Sequence, residues 1–509
     1  MTTQLVWLRS DLRLHDNEAL ASAMKAGPTV ACFVISARQW REHDVGDARL
    51  AFLQRSLVSL REDLDALRVP LKFVIAPNFS AVPKALLKLA REIDAQALHV
   101  NAEYPLNERK RDSQVTVAFE STGLVVNSFD GSVVAPPGTV LTGSGDPYTV
   151  FTPFKKRWLA SIGDLTPKKK PRAQNVIAVK ADPVPASLDG EDSALHGESF
   201  PGGETVALKR MTAFCKSAVI SYHEHRDLPA LSGTSSLSPY LSVGALSPRR
   251  CFAAAGVAHA DAYAELEQGP STWLSEVIWR EFYRHVIAQF PHVSQSLPFK
   301  REMKPVAWRH HKSEFAAWCK GETGYPIVDA AQRQLLATGW MHNRLRMITA
   351  MFLTKHLLID WRWGEAHFMR ELVDGDFASN NGGWQWSAST GTDAAPYFRI
   401  LTPLPRRSAL MVPASLFTPG CLSCGNLRVR HCLNPGPSPG TATRRLLSIT
   451  SLRVSGRWRR LKPNGSTSQV AVALQWFLAD SGPDTTRDSD PLWPLTRHGC
   501  PLAESHRQR

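Results

Sequence analysis

Thr29-Val30-Ala31-Cys32-Phe33-Val34-Ile35 is a seven-residue run that is apolar on both alternating faces and contains neither Gly nor Pro. Such a run suits a strand covered on both sides, which is the pattern of a parallel sheet with helices on each face. Comparable runs recur at Gln4–Leu8, Leu71–Ile75, Ala97–Val100 and Val125–Ser128. Helical periodicity separates them at Ala48–Arg68 and Ala81–Asp94. Residues 1–130 therefore read as an α/β domain with a parallel, Rossmann-like sheet. No G-x-G-x-x-G follows the first strand, so dinucleotide binding at that turn is not expected. The strand leads instead into Arg9-Ser10-Asp11-Leu12-Arg13-Leu14-His15-Asp16-Asn17, where Asp16 or Asn17 supplies a helix N-cap.

A chain of 509 residues is too long for one core, and its organisation changes along its length. Residues 131–205 are punctuated by Pro136-Pro137-Gly138, by Pro167-Lys168-Lys169-Lys170-Pro171 and by Pro183-Val184-Pro185, and read as an interdomain linker. Residues 206–400 read as all-α, with helical stretches at Val206–Tyr222, Trp273–Phe290, Ser313–Lys320, Ile327–Thr338 and Leu345–Leu358. Nine of the fifteen tryptophans fall between Trp273 and Trp386. Core packing explains most of them, Trp318 and Trp340 included. Residues 401–509 break the pattern: Glu is reduced to Glu504, Lys to Lys462, and Arg, Pro and Ser dominate. This tail is expected to be disordered, or to be translated from a changed reading frame. Its Cys421-x-x-Cys424 pair lacks a matching second pair, so no metal is expected.

Charge and targeting narrow the function classes. The net charge is +14, but residues 401–509 hold fifteen Lys/Arg against five Asp/Glu, leaving only +4 for the first 400. Any nucleic-acid contact must therefore be a local patch. No run of 18 apolar residues is present, so no membrane span is expected. The N-terminus lacks a signal peptide and Cys32, Cys215, Cys251 and Cys319 are scattered, which fits a reducing, cytoplasmic setting.

The chemistry concentrates in Asp374-Gly375-Asp376-Phe377-Ala378-Ser379-Asn380-Asn381-Gly382-Gly383-Trp384-Gln385-Trp386 and the following Gly391-Thr392-Asp393. Carboxylates and amides suit the polar edge of a flat heterocycle, glycines allow backbone to approach it, and tryptophans offer stacking and an oxidisable ring. Read alone, the stretch is equally a Gly-rich loop capped by Asp374 and Asp376. Thr234-Ser235-Ser236-Leu237-Ser238 precedes a helix start and suits phosphate, although by itself it reads as a capping cluster.

Five stretches, taken in order, resemble the photolyase/cryptochrome family, and most closely the bacterial class I photolyases. They are Trp7 to Asn17, Gly233 to Gly244 (Gly-Thr-Ser-Ser-Leu-Ser-Pro-Tyr-Leu-Ser-Val-Gly), Trp279-Arg280-Glu281-Phe282-Tyr283-Arg284, Thr338-Gly339-Trp340-Met341-His342-Asn343-Arg344-Leu345-Arg346-Met347, and the aspartate-rich segment above. The resemblance covers residues 1–400. It implies an all-α domain binding FAD in a folded form, and light-driven repair of cyclobutane pyrimidine dimers in UV-damaged DNA by a monomer. By resemblance, Tyr222, Thr234, Ser235, Ser236, Leu237 and Ser238 lie at the diphosphate. Asp374, Gly375 and Asp376 lie at the ribityl and isoalloxazine groups, Arg346 pairs with Asp374, and Asn380 faces flavin N5. Glu276 holds the thymine edge, and Trp279 and Trp386 stack on the flipped dimer. Arg226, Arg280, Asn343 and Arg344 contact substrate or phosphate. For Arg280–Glu281 and Arg344, residue chemistry alone favours a surface charge pair. Trp384, Trp361 and Trp308 carry an electron from the surface to oxidised flavin. In the α/β domain Asn107, Glu108 and Arg109 match the antenna site of folate-bearing members, implying 5,10-methenyltetrahydrofolate. Ser294-Gln295-Ser296 replaces the Cys-Lys of the folate pattern and keeps a deazaflavin open. After Phe398-Arg399-Ile400 the family continues with Phe-Asn-Pro and further helices, whereas this chain reads Leu401-Thr402-Pro403. A cryptochrome-like blue-light signalling flavoprotein, or an inactive flavin- or DNA-binding remnant, are the alternatives.

Overall fold

Five strands form the sheet: β1 (Thr3–Leu8), β2 (Thr29–Ile35), β3 (Leu71–Ile75), β4 (Ala95–Asn101) and β5 (Val125–Phe129). The computed structural model describes residues 2–189, 200–302, 306–396 and 401; the tail discussed above, beyond residue 401, lies outside the described residues. Strand order is β3-β2-β1-β4-β5 and every pairing is parallel. Alternation along the strands sorts their side chains to two cores. Val6, Leu8, Ala31, Phe33 and Ile35 face one core, and Leu5, Trp7, Val30, Cys32, Val34, Leu98 and Val100 face the other. The sheet crossovers carry α1 (Glu18–Ala26), α2 (Ala37–Glu42), α3 (Asp47–Ala66), α4 (Val82–Glu92) and α5 (Leu106–Glu120). Asn17 caps α1, its side chain accepting from Leu20 N–H at 3.2 Å.

Parallel sheets bind ligands beyond the strand ends where the order reverses, here between β1 and β4. That crevice is filled by the chain itself. The guanidiniums of Arg9 and Arg111 lie 4.4 and 4.7 Å from the ring centre of Trp7, and Asp112 and Glu103 pair with them.

The stretch 131–205 is less linker-like than its prolines suggest, because it contains α6 (Phe151–Ser161). Phe154 and Trp158 of that helix are buried. The helical region then runs through α7 (Glu204–Lys216), α8 (Tyr222–His225), α9 (Ser238–Ser242), α10 (Pro248–Ala254), α11 (Gln268–Gln289), α12 (Lys312–Lys320), α13 (Pro326–Thr338), α14 (Asn343–Met351), α15 (Trp361–Glu371) and α16 (Phe377–Ala388). The expected helix at Leu345–Leu358 widens part-way: the α-helix ends at Met351 and continues as a π turn over Phe352–His356. Trp318 is fully buried, as core packing requires, while Trp340 is only partly buried.

Arg13 links the parts. It is 1% exposed, and its guanidinium donates to the carbonyls of His15, Asp16, Gly131 and Gly244 at 2.6–3.1 Å. Gly244 has φ +68°, and a Cβ there would stand 1.9 Å from the Ser10 carbonyl oxygen. Only glycine therefore lets the α9–α10 turn meet the segment after β1. Among the described residues no helix is long and apolar enough to cross a membrane, and no group of three His, Cys, Asp or Glu is placed to hold a metal.

Candidate functional site

One face of α11 begins the site. Trp273, Glu276, Val277, Arg280 and Tyr283 recur at three- and four-residue spacing and so share a stripe. The stripe lines a cavity of ≈ 480 Å³, within the range of small-molecule sites. Asn343, Arg344, Arg346 and Met347 enter from the first turns of α14, and Ser379, Asn380, Gly383, Trp384 and Ser387 from α16. Tyr222 and Arg226 close one side, and Ser235, Leu237 and Ser238 another. Asp374, Gly375, Asp376, Trp279 and Trp386 complete the wall. Thr234 and Ser236, expected with their neighbours, are not among the lining residues. The cap expected of the 234–238 cluster is not made: α9 has Leu237 at its N-cap, and no side chain hydrogen-bonds there.

The two aspartates differ in role. Asp374 accepts from Arg346 Nη2 at 3.0 and 2.8 Å, and the same arginine donates to the Met341 carbonyl. Asp376 caps α16, accepting from the Ser379 N–H at 3.0 Å and hydroxyl at 2.8 Å, and pairs with Arg284 at 3.0 Å. Burial alone would raise the Asp376 carboxyl, but Arg284 and Arg280 outweigh it and hold the group well below the usual carboxylate range. Sequence reading missed Arg284. Its place one turn beyond Arg280 on the same stripe was the available signal.

Arg280 and Glu281 are not a surface pair. Arg280 donates to the carbonyls of Ser132 and Leu241 at 3.1 and 3.0 Å, and burial lowers its pKa to about 9, helped by Arg284. Glu281 is 1% exposed and accepts from the N–H groups of Val134 and Ala135 and from the Trp158 indole. Charge-pair logic failed because it ignored that both residues face inward on α11. For Arg344 the pair reading holds: it is bonded to Asp227. At the mouth, Glu276 pairs with Arg226 at 2.7 Å. The surrounding protein raises the Glu276 carboxyl above its ordinary value against the pull of Arg226.

Trp279 is stacked on Phe151, with ring centres 3.7 Å apart and planes 11° from parallel. One indole face is thereby covered and fixed. The outer ring atoms of Trp384 close on Gly364, where a Cβ would come 2.1 Å from them, and its buried Nε1 has no hydrogen-bond partner among the described residues. Asn380 gives its amide N–H to the Glu365 carbonyl, which leaves its amide oxygen for the cavity. Glu365 is buried, accepts from Asn381 and has its pKa raised to about 7, mainly by burial.

That last shift has a testable sign. A carboxyl with a folded pKa above its unfolded one stabilises most at low pH and loses that contribution as pH rises through about 7. Glu365→Gln keeps the acceptor but removes the titration. The substitution is expected to be neutral near pH 4 and stabilising by up to about 3 kcal/mol at pH 8. Thermal melts at the two pH values check this.

Trp361 is buried at the start of α15. Arg309 N–H donates to the Leu358 carbonyl at 2.7 Å, which brings Trp308 to the chain just before it. Asn107 and Glu108 stand elsewhere, in the first turn of α5, where His43 lies 3.0 Å from the Asn107 amide and 3.7 Å from a Glu108 oxygen. Burial, then the nearby Glu103, raises Glu108 to about 7.

Comparison with known proteins agrees with this geometry. Residues 4–173 match the DNA photolyase model, and residues 273–409 the FAD binding domain of DNA photolyase. The deoxyribodipyrimidine photo-lyases of Salmonella typhimurium and Escherichia coli are 45% and 43% identical over 413 and 411 residues, each alignment covering 79% of this chain and 85% of the relative. A bacterial class III photolyase structure from Agrobacterium tumefaciens aligns with TM-score 0.71 and 34% identity over 79% of this chain and 83% of its own. A Synechocystis cryptochrome aligns with TM-score 0.67 and 28% identity over 79% and 84%. The cavity fits FAD: hydroxyls at Ser235 and Ser238, the side-chain amide of Asn380, open space beside Gly383 and apolar walls suit its polar and flat parts. With two photolyase family models matched and relatives of 43–45% identity covered over 85% of their length, the chain belongs to the DNA photolyase family.

Proposed function

We propose that this chain is a deoxyribodipyrimidine photo-lyase that uses light and FAD to split cyclobutane pyrimidine dimers in DNA. The observation that carries the reading is the meeting of Glu276, Trp279, Asn343 and Trp386 on the wall of the cavity that also holds Asp374, Asp376 and Asn380. When bound and reduced, FAD supplies the light-driven electron. The protein's own task is to hold the dimer still and dry beside it. Trp279, backed by Phe151, offers one rigid face for stacking. Glu276, at the mouth beside Arg226, is placed to hydrogen-bond the thymine edge. Asn343 supplies an amide at the opposite edge. In this reading Tyr222, Ser235, Leu237 and Ser238 serve the diphosphate side from the cavity wall, with Thr234 and Ser236 beside them in sequence but off the lining.

Residues 1–130 are read as the antenna-chromophore domain, 131–205 as the linker and 206–400 as the FAD- and DNA-binding domain. The antenna would be a methenyltetrahydrofolate at Asn107 and Glu108, whose half-buried amide and carboxyl suit a pterin edge. A cytoplasmic monomer completes the proposal, supported by the unpaired Cys32, Cys215, Cys251 and Cys319.

The central test is direct. Irradiated oligothymidylate, mixed with chemically reduced, FAD-loaded protein under blue light, is expected to regain its ultraviolet base absorbance. A flavin-loaded sample with no recovery would sink the proposal. Glu276→Ala should lower the yield per photon several-fold and leave flavin loading unchanged.

DNA binding carries its own expectation. Arg226 and Arg344 are held by Glu276 and Asp227, so the mouth is close to charge-balanced until phosphate displaces a carboxylate. Asp227→Asn frees Arg344 for phosphate and should tighten binding of damaged duplex by about three- to tenfold at low salt, with a steeper salt dependence. Unchanged affinity in a filter-binding titration would contradict this role of Arg344.

A further inference from the structure

We propose that Arg55 and Arg210 form a binding site for a small free oxyanion of the phosphate class, at the junction of α3, α7 and α9. The site is separate from the cavity, which neither arginine lines, and it does not depend on the repair reading.

Tyr240 of α9 is the floor. It is fully buried, meets Phe52 of α3 edge-on at 5.3 Å, and donates its hydroxyl to the Pro201 carbonyl at 2.9 Å. Arg210 of α7 places its guanidinium carbon 5.9 Å from the centre of that ring and 5.3 Å from the centre of Phe200. Two aromatic rings therefore hold one cation in place. Arg55 of α3 comes to the same tyrosine: Arg210 and Arg55 are the two charges that act on the Tyr240 phenol. The backbone at Arg55 is fixed by close packing, since a Cβ at Gly202 would stand 2.4 Å from the Arg55 carbonyl carbon. Both guanidiniums belong to half-buried side chains.

The pair differs from the other inward-facing arginines in having no carboxylate. Arg9 is matched by Asp112, Arg111 by Glu103, Arg226 by Glu276, Arg284 by Asp376 and Arg346 by Asp374. Among the described residues no carboxylate pairs with Arg55 or Arg210, and Nε and Nη2 of Arg55 are buried without a hydrogen-bond partner. Glu204, at the start of α7, is already committed: it accepts from the N–H groups of Leu14 and His15. Burial lowers the Arg55 pKa from its ordinary value, and only Tyr240 pulls the other way. Unbonded donors and two like charges on one ring both cost stability, and a bridging anion offsets both.

The donors select the class of anion. Each guanidinium presents parallel N–H groups that match two oxygens of a tetrahedral oxyanion, so two guanidiniums suit a phosphate or sulfate dianion. Chloride offers no such pair of acceptors. A small ion reaches the recessed Arg55 donors by a turn of that side chain, whereas the backbone of a duplex is too bulky to follow. Because one arginine stands on α3 and the other on α7, the bound anion would tie the sheet portion to the helical portion.

The test uses the full FAD-loaded chain in buffer free of phosphate and sulfate. Calorimetric titration with inorganic phosphate at constant ionic strength should reveal a binding site for which sulfate competes. Phosphate should also raise the melting temperature above that in chloride of equal ionic strength. Arg210→Gln should weaken phosphate binding about tenfold or more and remove the thermal gain. Arg210→Lys keeps the charge but not the fork and should fall between. Arg55→Gln should act like Arg210→Gln, while Arg344→Gln, at the cavity mouth, should leave phosphate binding unchanged. Arg210 is half-exposed, so its replacement carries the test without threatening the fold. Undamaged duplex DNA forms the second arm, and Arg210→Gln should bind it as the wild type does. The site is overturned if phosphate gives neither heat nor stabilisation beyond chloride, if Arg210→Gln binds phosphate equally well, or if that variant loses duplex binding instead. Failure to repair dimers bears on the proposed function alone.

Discussion

Trp384→Phe will abolish light-driven reduction of oxidised FAD, by about a hundredfold or more, while chemically reduced protein repairs dimers at close to the normal rate. Of Trp384, Trp361 and Trp308, which by resemblance carry the electron, Trp384 is the one that lines the cavity. Phenylalanine keeps a ring near Phe368 but lacks the outer indole atoms that meet Gly364, and it cannot be oxidised in its place. Removing the larger ring leaves a gap costing about 1–3 kcal/mol, too little to unfold a protein of this size. Measuring the two reactions on the same flavin-loaded sample separates electron supply from repair. Equal loss of both would show that Trp384 is needed for structure instead.

Asp376→Ala should have the largest effect on stability and on flavin retention. The substitution removes the cap of α16 and leaves Arg284 and Arg280 facing each other across a buried site without their shared anion. Breaking a buried pair in this way costs about 3–5 kcal/mol, and a lost cap about 1 kcal/mol more. Asp376→Asn, which keeps an acceptor for Ser379, should fall between the two. Urea unfolding and the flavin absorption of the purified variants give the answer. The pH dependence has a fixed sign. A carboxylate with a lowered folded pKa contributes fully above the ordinary Asp pKa of about 4, and the contribution disappears as pH falls through the folded value. The gap between wild type and Asp376→Ala should therefore be constant from pH 6 to 8 and shrink in acid.

The sheet was legible because its central strands are buried on both faces. Thr29–Ile35 is buried throughout, Leu71–Ile75 is apolar but for Lys72, and the structure starts and ends both strands at those residues. Helix α5 was overlooked because its sequence, Leu106 to Glu120, is polar on most sides and buries only Arg111, Val115 and Phe119. Helix α6 was hidden by the prolines around it. Within the cavity, Asp374, Asp376, Asn380 and Trp384 could be picked out because four polar and aromatic types crowd one segment. Arg284 and Phe151 could not. The role of each comes from a partner distant in sequence, Asp376 for one and Trp279 for the other, and no local period encodes such a meeting. Arg280 and Glu281 were misjudged as a surface pair for the same reason: adjacency in sequence says nothing about which carbonyls and amides the fold brings to them.

The buried guanidinium of Arg13 bears on how far the molecule can be taken apart. Its acceptors come from the turn after β1, from the start of the linker at Gly131 and from the α9–α10 turn at Gly244. None of these is a carboxylate, and burial already lowers its pKa from the ordinary value. Severing the chain near residue 130 would leave a dry, charged side chain with half of its acceptors gone. The sheet portion and the helical portion are thus not modules to be shuffled or expressed alone, and a graft of either onto a relative would have to bring both ends of this clasp with it.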